Sequence, residues 1–158
     1  MKIRLGFVTN SSSSSFILGF KNKKAITVSL SSKLSGDYLK DIRRSVMKNI
    51  KSAGEILEEY REIIYSTAYY EVFFAKERSL RAVRSKQNIY KWEKEHKDMF
   101  EKLVADRVND KVEALKKKME GLTVFSVVDY GDEDDFGSEM EHYLVPSLDC
   151  CLERISHH

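Results

Sequence analysis

Asn10 and the five serines that follow it, Ser11, Ser12, Ser13, Ser14 and Ser15, form the densest run of hydrogen-bonding side chains in the chain. Hydroxyls and amides that converge in this way bind anions in backbone nests and at helix N-termini. The Gly-x-x-x-x-Gly-Lys spacing of a phosphate loop is absent, and a strand-like run, Phe16-Ile17-Leu18-Gly19-Phe20, follows where a helix dipole would be wanted. The segment therefore reads as an ordered polar loop between two strands, anchored by Val8 and Phe16, with Asn10 to Ser15 as the candidate ligand-binding residues.

Three other sets of residues bear on chemistry. Asp129 to Glu141 carries seven acids and no base. Its calcium-loop register fails, because position five from Asp132 is Phe136 and position twelve is Tyr143, so the bidentate acid is missing. Asp132, Glu133, Asp134 and Asp135 are instead expected to contact a basic partner or to fold over a basic face of the same molecule. Cys150 or Cys151 with His142 lacks any nucleophile signature, and free cysteine is more often buried packing. No catalytic residue, metal ligand or cofactor is assigned. The third set is basic: Lys21, Lys23 and Lys24, then Arg43, Arg44, Lys48 and Lys51, which could neutralise phosphates without reading sequence.

The opening Met1 to Phe16 resembles a scattered set of uncharacterised bacterial and bacteriophage proteins that begin with a basic-apolar stretch, Gly-Phe-Val-(Ser or Thr)-Asn, a serine run and Phe. The match falls on Gly6, Phe7, Val8, Asn10, Ser11 to Ser15 and Phe16. The resemblance implies a bacterial or phage source. It carries no activity, cofactor or site residue with it.

At 158 residues, with 42% hydrophobic side chains and one proline, the chain is sized for one domain with one core. The net charge of only +2 conceals segregation. Residues 1–52 hold eleven Lys or Arg against two acids, and residues 76–118 hold fourteen against eight. Such asymmetry sets up local fields that attract charged partners. The only two cysteines are neighbours, too few for a disulfide-stapled fold. The N-terminus has too short an apolar stretch for a secretion signal, and no apolar window approaches the ~18 residues of a membrane span. A cytoplasmic protein with no membrane contact is expected.

Periodicity places the elements. Phe16 to Phe20 and Ala25 to Leu30 read as a β-hairpin closed by Lys21 to Lys24, with Ile26, Val28 and Leu30 on one face. Tyr38, Leu39, Ile42, Val46 and Ile50 fall at helical spacing. Ser52 and Glu55 fit a capping box, and no glycine or proline occurs from Glu55 to Glu120. One straight helix there would be about 100 Å long, so a helical hairpin broken near residues 84–88 is expected. One of its apolar stripes starts at Ile56, Tyr60, Ile63 and Ile64; the other includes Trp92, Met99, Phe100, Leu103 and Val104. Gly121 ends the hairpin, Leu122 to Val128 is the strongest strand candidate, Ser138 with Glu141 repeats the capping pattern, and Ser147 to Ile155 reads as a last short helix.

The fold class expected is α+β, a small antiparallel sheet packed against a long helical hairpin. Residues 1–158 form a single domain: a β-hairpin with a Ser-rich loop in 1–36, helices in 37–120, then strand, acidic loop and C-terminal helices in 121–158. The function expected is non-catalytic protein binding, with a protein partner. The alternatives are non-specific nucleic-acid binding and a small enzyme or phosphate binder built on the serine run. The aromatic excess from Tyr69 to Phe74 is more than one hairpin needs, which adds a homodimer to the candidate assemblies.

Overall fold

The computed structural model describes residues 13–156, and the fold is α+β, with a four-stranded antiparallel sheet and a long helical hairpin. The elements run β1 (Ser13–Phe20), α1 (Lys23–Ser31), α2 (Gly36–Lys48), β2 (Ile50–Lys51), α3 (Ala53–Ala82), α4 (Ile89–Glu95), α5 (Lys97–Met119), β3 (Val124–Gly131), α6 (Asp135–Glu139), a π-helical turn at Met140–Leu144, and β4 (Cys151–Ser156). Two compact units result: among the described residues, one comprises 13–56 and 115–156, the other 57–114.

The first unit is built on β1, which lies between β3 and β4 in the strand order β2-β3-β1-β4. All eight residues of β1 are buried. Phe16, Leu18 and Phe20 point to one face, as the two-residue strand period requires. There they share a core with Ile26 and Leu30 of α1, Ile42 and Val46 of α2, and Met140 and Val145 beyond β3. Two hydrogen-bonding contacts fix α2 on β3. The Tyr130 hydroxyl donates to Asp41 Oδ2 at 2.8 Å, and Ser126 Oγ donates to the Val46 carbonyl at 3.0 Å.

The expected loop at Asn10 to Ser15 is corrected where it is described. Ser13 to Ser15 are the first three residues of β1, paired with Gly131, Tyr130 and Asp129. Val8 and Asn10 to Ser12 lie outside the described residues. The expected second strand at Ala25 to Leu30 is helix α1. Ile26 and Leu30 are buried four residues apart while Val28 is 72% exposed, a helical pattern and not an alternating one. Ile26 and Leu30 satisfy both periods, so the local chemistry decides: the Asn22 side chain accepts from the Ala25 amide at 3.0 Å and starts the helix. Lys21 to Lys24 is accordingly a strand-to-helix turn.

The expected last helix at Ser147 to Ile155 is also corrected. Cys151–Ser156 is a strand, β4, because the open edge of buried β1 needs a partner for its backbone groups. Within 37–120, the short β2 interrupts the helices and pairs with β3. The cap before Met140 is Asp134, which accepts from the Gly137 amide at 2.6 Å, and not Ser138.

The second unit contains most of α3, all of α4 and most of α5. The Ser52 capping box forms as expected: Glu55 N–H donates to Ser52 Oγ at 3.2 Å and Ser52 N–H to Glu55 Oε2 at 2.8 Å. The break also falls where weak propensity places it, between Ala82 and Ile89, with Arg84 in the left-handed region at φ +52°. Arg61 Nη1 donates to Asn109 Oδ1 at 2.6 Å and Arg107 Nε to Glu71 Oε2 at 2.6 Å, so α3 and α5 run antiparallel. Met99 and Leu103, assigned to the buried stripe from spacing, are exposed.

The tightest backbone approach gives a direct test of the acidic turn. A Cβ added at Gly137 would stand 2.2 Å from the Gly131 carbonyl oxygen, which is backbone and cannot swing aside. Gly137→Ala is expected to destabilise the protein by about 1–3 kcal/mol, the cost of overpacking, in urea denaturation. An unchanged midpoint would show that the turn is not packed in this way.

Candidate functional site

The serine segment and the basic segment reach very different environments. Ser14 is fully buried, and its hydroxyl donates to Glu141 Oε1 at 2.7 Å. Arg154 on β4 completes the group, donating from Nε to Ser14 Oγ at 3.2 Å and from Nη2 to Glu141 Oε1 at 3.4 Å. Ser156 Oγ stands 3.4 Å from Ser14 Oγ, and His142 Nε2 lies 3.8 Å from Glu141 Oε2. The β1–β4 register explains the meeting. Ser14 pairs with Ser156 and Phe16 with Arg154, so Ser14, Phe16, Arg154 and Ser156 share one sheet face. Arg154 also lies over the Phe16 ring, 5.7 Å from its centroid. On the opposite face Ser15 Oγ donates to Asp129 Oδ1 at 2.5 Å.

A hydroxyl hydrogen-bonded to a carboxylate is the start of a nucleophile and base pair, and a nucleophile needs an opening for substrate. Ser14 and Glu141 are both 0% exposed. The concavity described below lies elsewhere, on α2. The backbone of Ser14 and Ser15 is paired to β3 on one side and β4 on the other, so these residues do not form an open amide nest. The arrangement ties the first strand to the last strand and to the π-helical turn. Glu141 and Arg154 were absent from the candidates read from sequence, because nothing in their spacing points to Ser14, 127 and 140 residues away.

Neither cysteine is disposed to act as a nucleophile. Burial raises the Cys150 thiol to about 12, helped by the adjacent Cys151, and raises Cys151 to about 11, helped by Glu153. Both are free thiols.

The basic residues form an exposed surface instead. Phe20 pairs with Val124 and Lys51 with Phe125, so the Lys21–Lys24 turn and the Lys48–Lys51 connection lie at one end of the sheet. Arg43 and Arg44 follow on α2, whose C-terminal end lies near Ser126. Along the outer side of α2 runs a concavity of about 450 Å³, lined by Gly36, Leu39, Lys40, Arg43, Arg44 and Met47. Among the described residues, Lys40, Arg43 and Arg44 make no ion pair. Met47 is half-exposed beside them.

The acidic residues are placed at the opposite end. Asp132 to Asp135 follow Gly131, which pairs with Ser13 at the far end of β3 from Val124. Seven strand steps separate the two ends of β3, about 24 Å. The segment packs on the start of α2 through Phe136, whose ring stacks on Tyr38 at 4.8 Å, and through Glu139, which accepts from the Tyr38 hydroxyl. Asp134 spends its carboxylate as the α6 cap; Asp132, Glu133 and Asp135 are exposed. The acidic turn does not fold over Arg43 and Arg44.

No protein-family model matches the chain, and no curated protein or solved structure matches it significantly. Among the described residues no helix is long and apolar enough to cross a membrane.

Two measurements check this placement. Glu141→Ala leaves the buried Ser14 hydroxyl and the part-exposed Arg154 guanidinium without their carboxylate partner, and a loss of about 1–3 kcal/mol is expected in denaturant unfolding. A loss below about 0.5 kcal/mol would mean that the group is not a lock. At pH 8 both thiols should react with a disulfide reagent about tenfold or more slowly in the native protein than after unfolding, since thiolate is the reactive form. Equal rates would contradict their environment.

Proposed function

We propose that the protein is a non-catalytic binding protein of bacterial or phage origin, and that the outer side of α2 receives an acidic, partly apolar segment of a protein partner. The observation that carries this reading is the α2 concavity, in which Arg43, Arg44 and Lys40 are free of ion pairs among the described residues and flank Leu39 and Met47. Arginine and methionine around a small apolar centre are the composition enriched in protein-binding interfaces. The lysines at the adjoining end of the sheet, Lys21, Lys23, Lys24, Lys48 and Lys51, extend the field. The acidic turn at the other end gives the unit a dipole that orients encounter. The bacterial or phage origin rests on the N-terminal resemblance.

Nucleic-acid binding is the second reading, supported by the same cations. A single-strand binder would offer exposed rings on which bases stack. The concavity has no aromatic lining residue, and Tyr38 on the same helix is engaged with Phe136. This favours a protein segment over a nucleic acid.

Peptide display on the intact protein, followed by anisotropy with the selected peptide and with a labelled DNA duplex, separates the two. Peptides combining Asp or Glu with Leu, Phe or Met are expected. Arg43→Glu with Arg44→Glu should weaken their binding about 100-fold, as two interface arginines would. Neutralising Asp132, Glu133 and Asp135 should not tighten it, because those residues do not cover the site. Duplex binding that falls by roughly 0.9 log unit per log unit of salt for each phosphate contacted, with no peptide selected, would overturn the protein reading.

A further inference from the structure

We infer that the bare flank of the helical hairpin pairs with the same flank of a second copy of this chain, α3 against α3 in antiparallel register about Tyr70. The hairpin in residues 57–114 has two flanks, and among its own described residues only one is covered. On the covered side, the Tyr69 hydroxyl donates to Glu93 at 2.7 Å, Tyr90 packs 5.3 Å from Phe73, and Lys76 lies over Trp92 at 4.3 Å. On the other side, Glu71 accepts from Arg107 at 2.6 Å and pairs with Lys111 at 2.9 Å, marking the edge where α3 meets α5.

Residues three or four apart share a helix face. Phe74 is three residues beyond Glu71 and Tyr70 four before Phe74; Leu103 is four before Arg107 and Met99 four before Leu103. The four therefore lie along this edge. Tyr70 is 55% exposed, Phe74 48%, Met99 55% and Leu103 43%. The Tyr70 and Phe74 rings stack on each other at 6.1 Å and leave their outer surfaces bare. A group of large apolar side chains at this exposure marks an interaction surface.

The charge pattern of α3 selects the occupant. Within α3, residues 55–62 hold four glutamates and one arginine, whereas residues 76–82 hold Lys76, Arg78 and Arg81 against Glu77. An antiparallel copy placed about Tyr70 sets the acidic half of each helix against the basic half of the other. Position 59 then faces position 81 twice, once on each side of the two-fold axis, and Glu59 meets Arg81 in both. Ile63, Tyr70 and Phe74 lie on the same face at coiled-coil spacing, and Glu77, held by Arg81 of its own helix, falls opposite Ile63 of the other copy. A parallel copy would set like charges together, and a chain of different sequence has no reason to share this symmetry. Arg81 holds Glu77 at 2.8 Å within its own helix but is largely exposed, so it can reach across.

Sedimentation equilibrium on the full chain, from about 1 µM to 1 mM, tests the pairing. A reversible dimer is expected. Tyr70→Glu, with helicity verified by circular dichroism, should raise its dissociation constant about 100-fold, the effect of losing a central aromatic residue. Arg81→Glu alone should weaken the dimer about tenfold, and Glu59→Arg combined with Arg81→Glu should restore it, because both pairs are then reversed together. The charge pair decides the matter if Tyr70→Glu fails to fold. A monomer throughout the range, a dimer indifferent to Tyr70→Glu, or no rescue by the double variant would overturn the inference.

Discussion

The constraint on which the first unit depends is that its central strand is buried over its whole length and yet begins with serines. A hydroxyl taken out of water without a partner costs several kcal/mol. Burial of Ser14 therefore requires a partner, and the partner is a fully buried carboxylate, Glu141, which in turn requires a cation. Arg154 supplies it from the last strand. The register of β4 on β1, the position of the π-helical turn after β3, and the side-chain direction along β1 must all hold for those atoms to meet. A shift of β4 by one residue would turn Arg154 to the other face. The polar group thus specifies the register, while Phe16, Leu18 and Phe20 on the same face supply the apolar burial.

The polarity of the surface follows from the same topology. The basic connections Lys21–Lys24 and Lys48–Lys51 enter or leave the sheet at the Phe20 and Val124 end. The acidic turn leaves β3 at the Gly131 end. Antiparallel pairing holds these ends about 24 Å apart along β3, more than two Debye lengths at physiological salt. The exposed charges at the two ends of the sheet barely neutralise one another through solvent, and Arg43 and Arg44 on α2 make no ion pair among the described residues.

What the sequence revealed depended on whether the signal was local. The capping box at Ser52, the break at residues 84–88, the strand expected at Leu122 to Val128 and found at Val124–Gly131, and the hairpin as a whole come from contiguous patterns, and each is present. Ala25 to Leu30 misled because Ile26 and Leu30 fit both the strand and the helix period, and the Asn22 cap settled the choice. Ser147 to Ile155 misled because strand β4 exists to complete an edge made more than 130 residues earlier in the chain. The candidate surface was partly legible. The basic residues could be counted, but whether the acidic turn covered them depended on β3 register. The meeting of Ser14, Glu141 and Arg154 was not legible at all, since each residue taken alone is an ordinary polar side chain.

The two proposed surfaces differ in what drives association. The α2 face offers cations around a small apolar centre, so its attraction acts at long range and is screened by salt. The bare flank of the hairpin offers four large apolar side chains beside an internally paired Glu71–Arg107 edge. Its gain is chiefly surface removed from water, which salt does not weaken. The hairpin seam is also self-complementary, whereas the α2 face is not: a second copy would bring Arg43 and Arg44 against their own like charges. The α2 face is therefore suited to a foreign acidic partner and the hairpin to its own kind. Pairing through the hairpin would give each assembly two copies of the α2 face, and two such sites bind a repeated or dimeric partner more tightly than one wherever both can be engaged together.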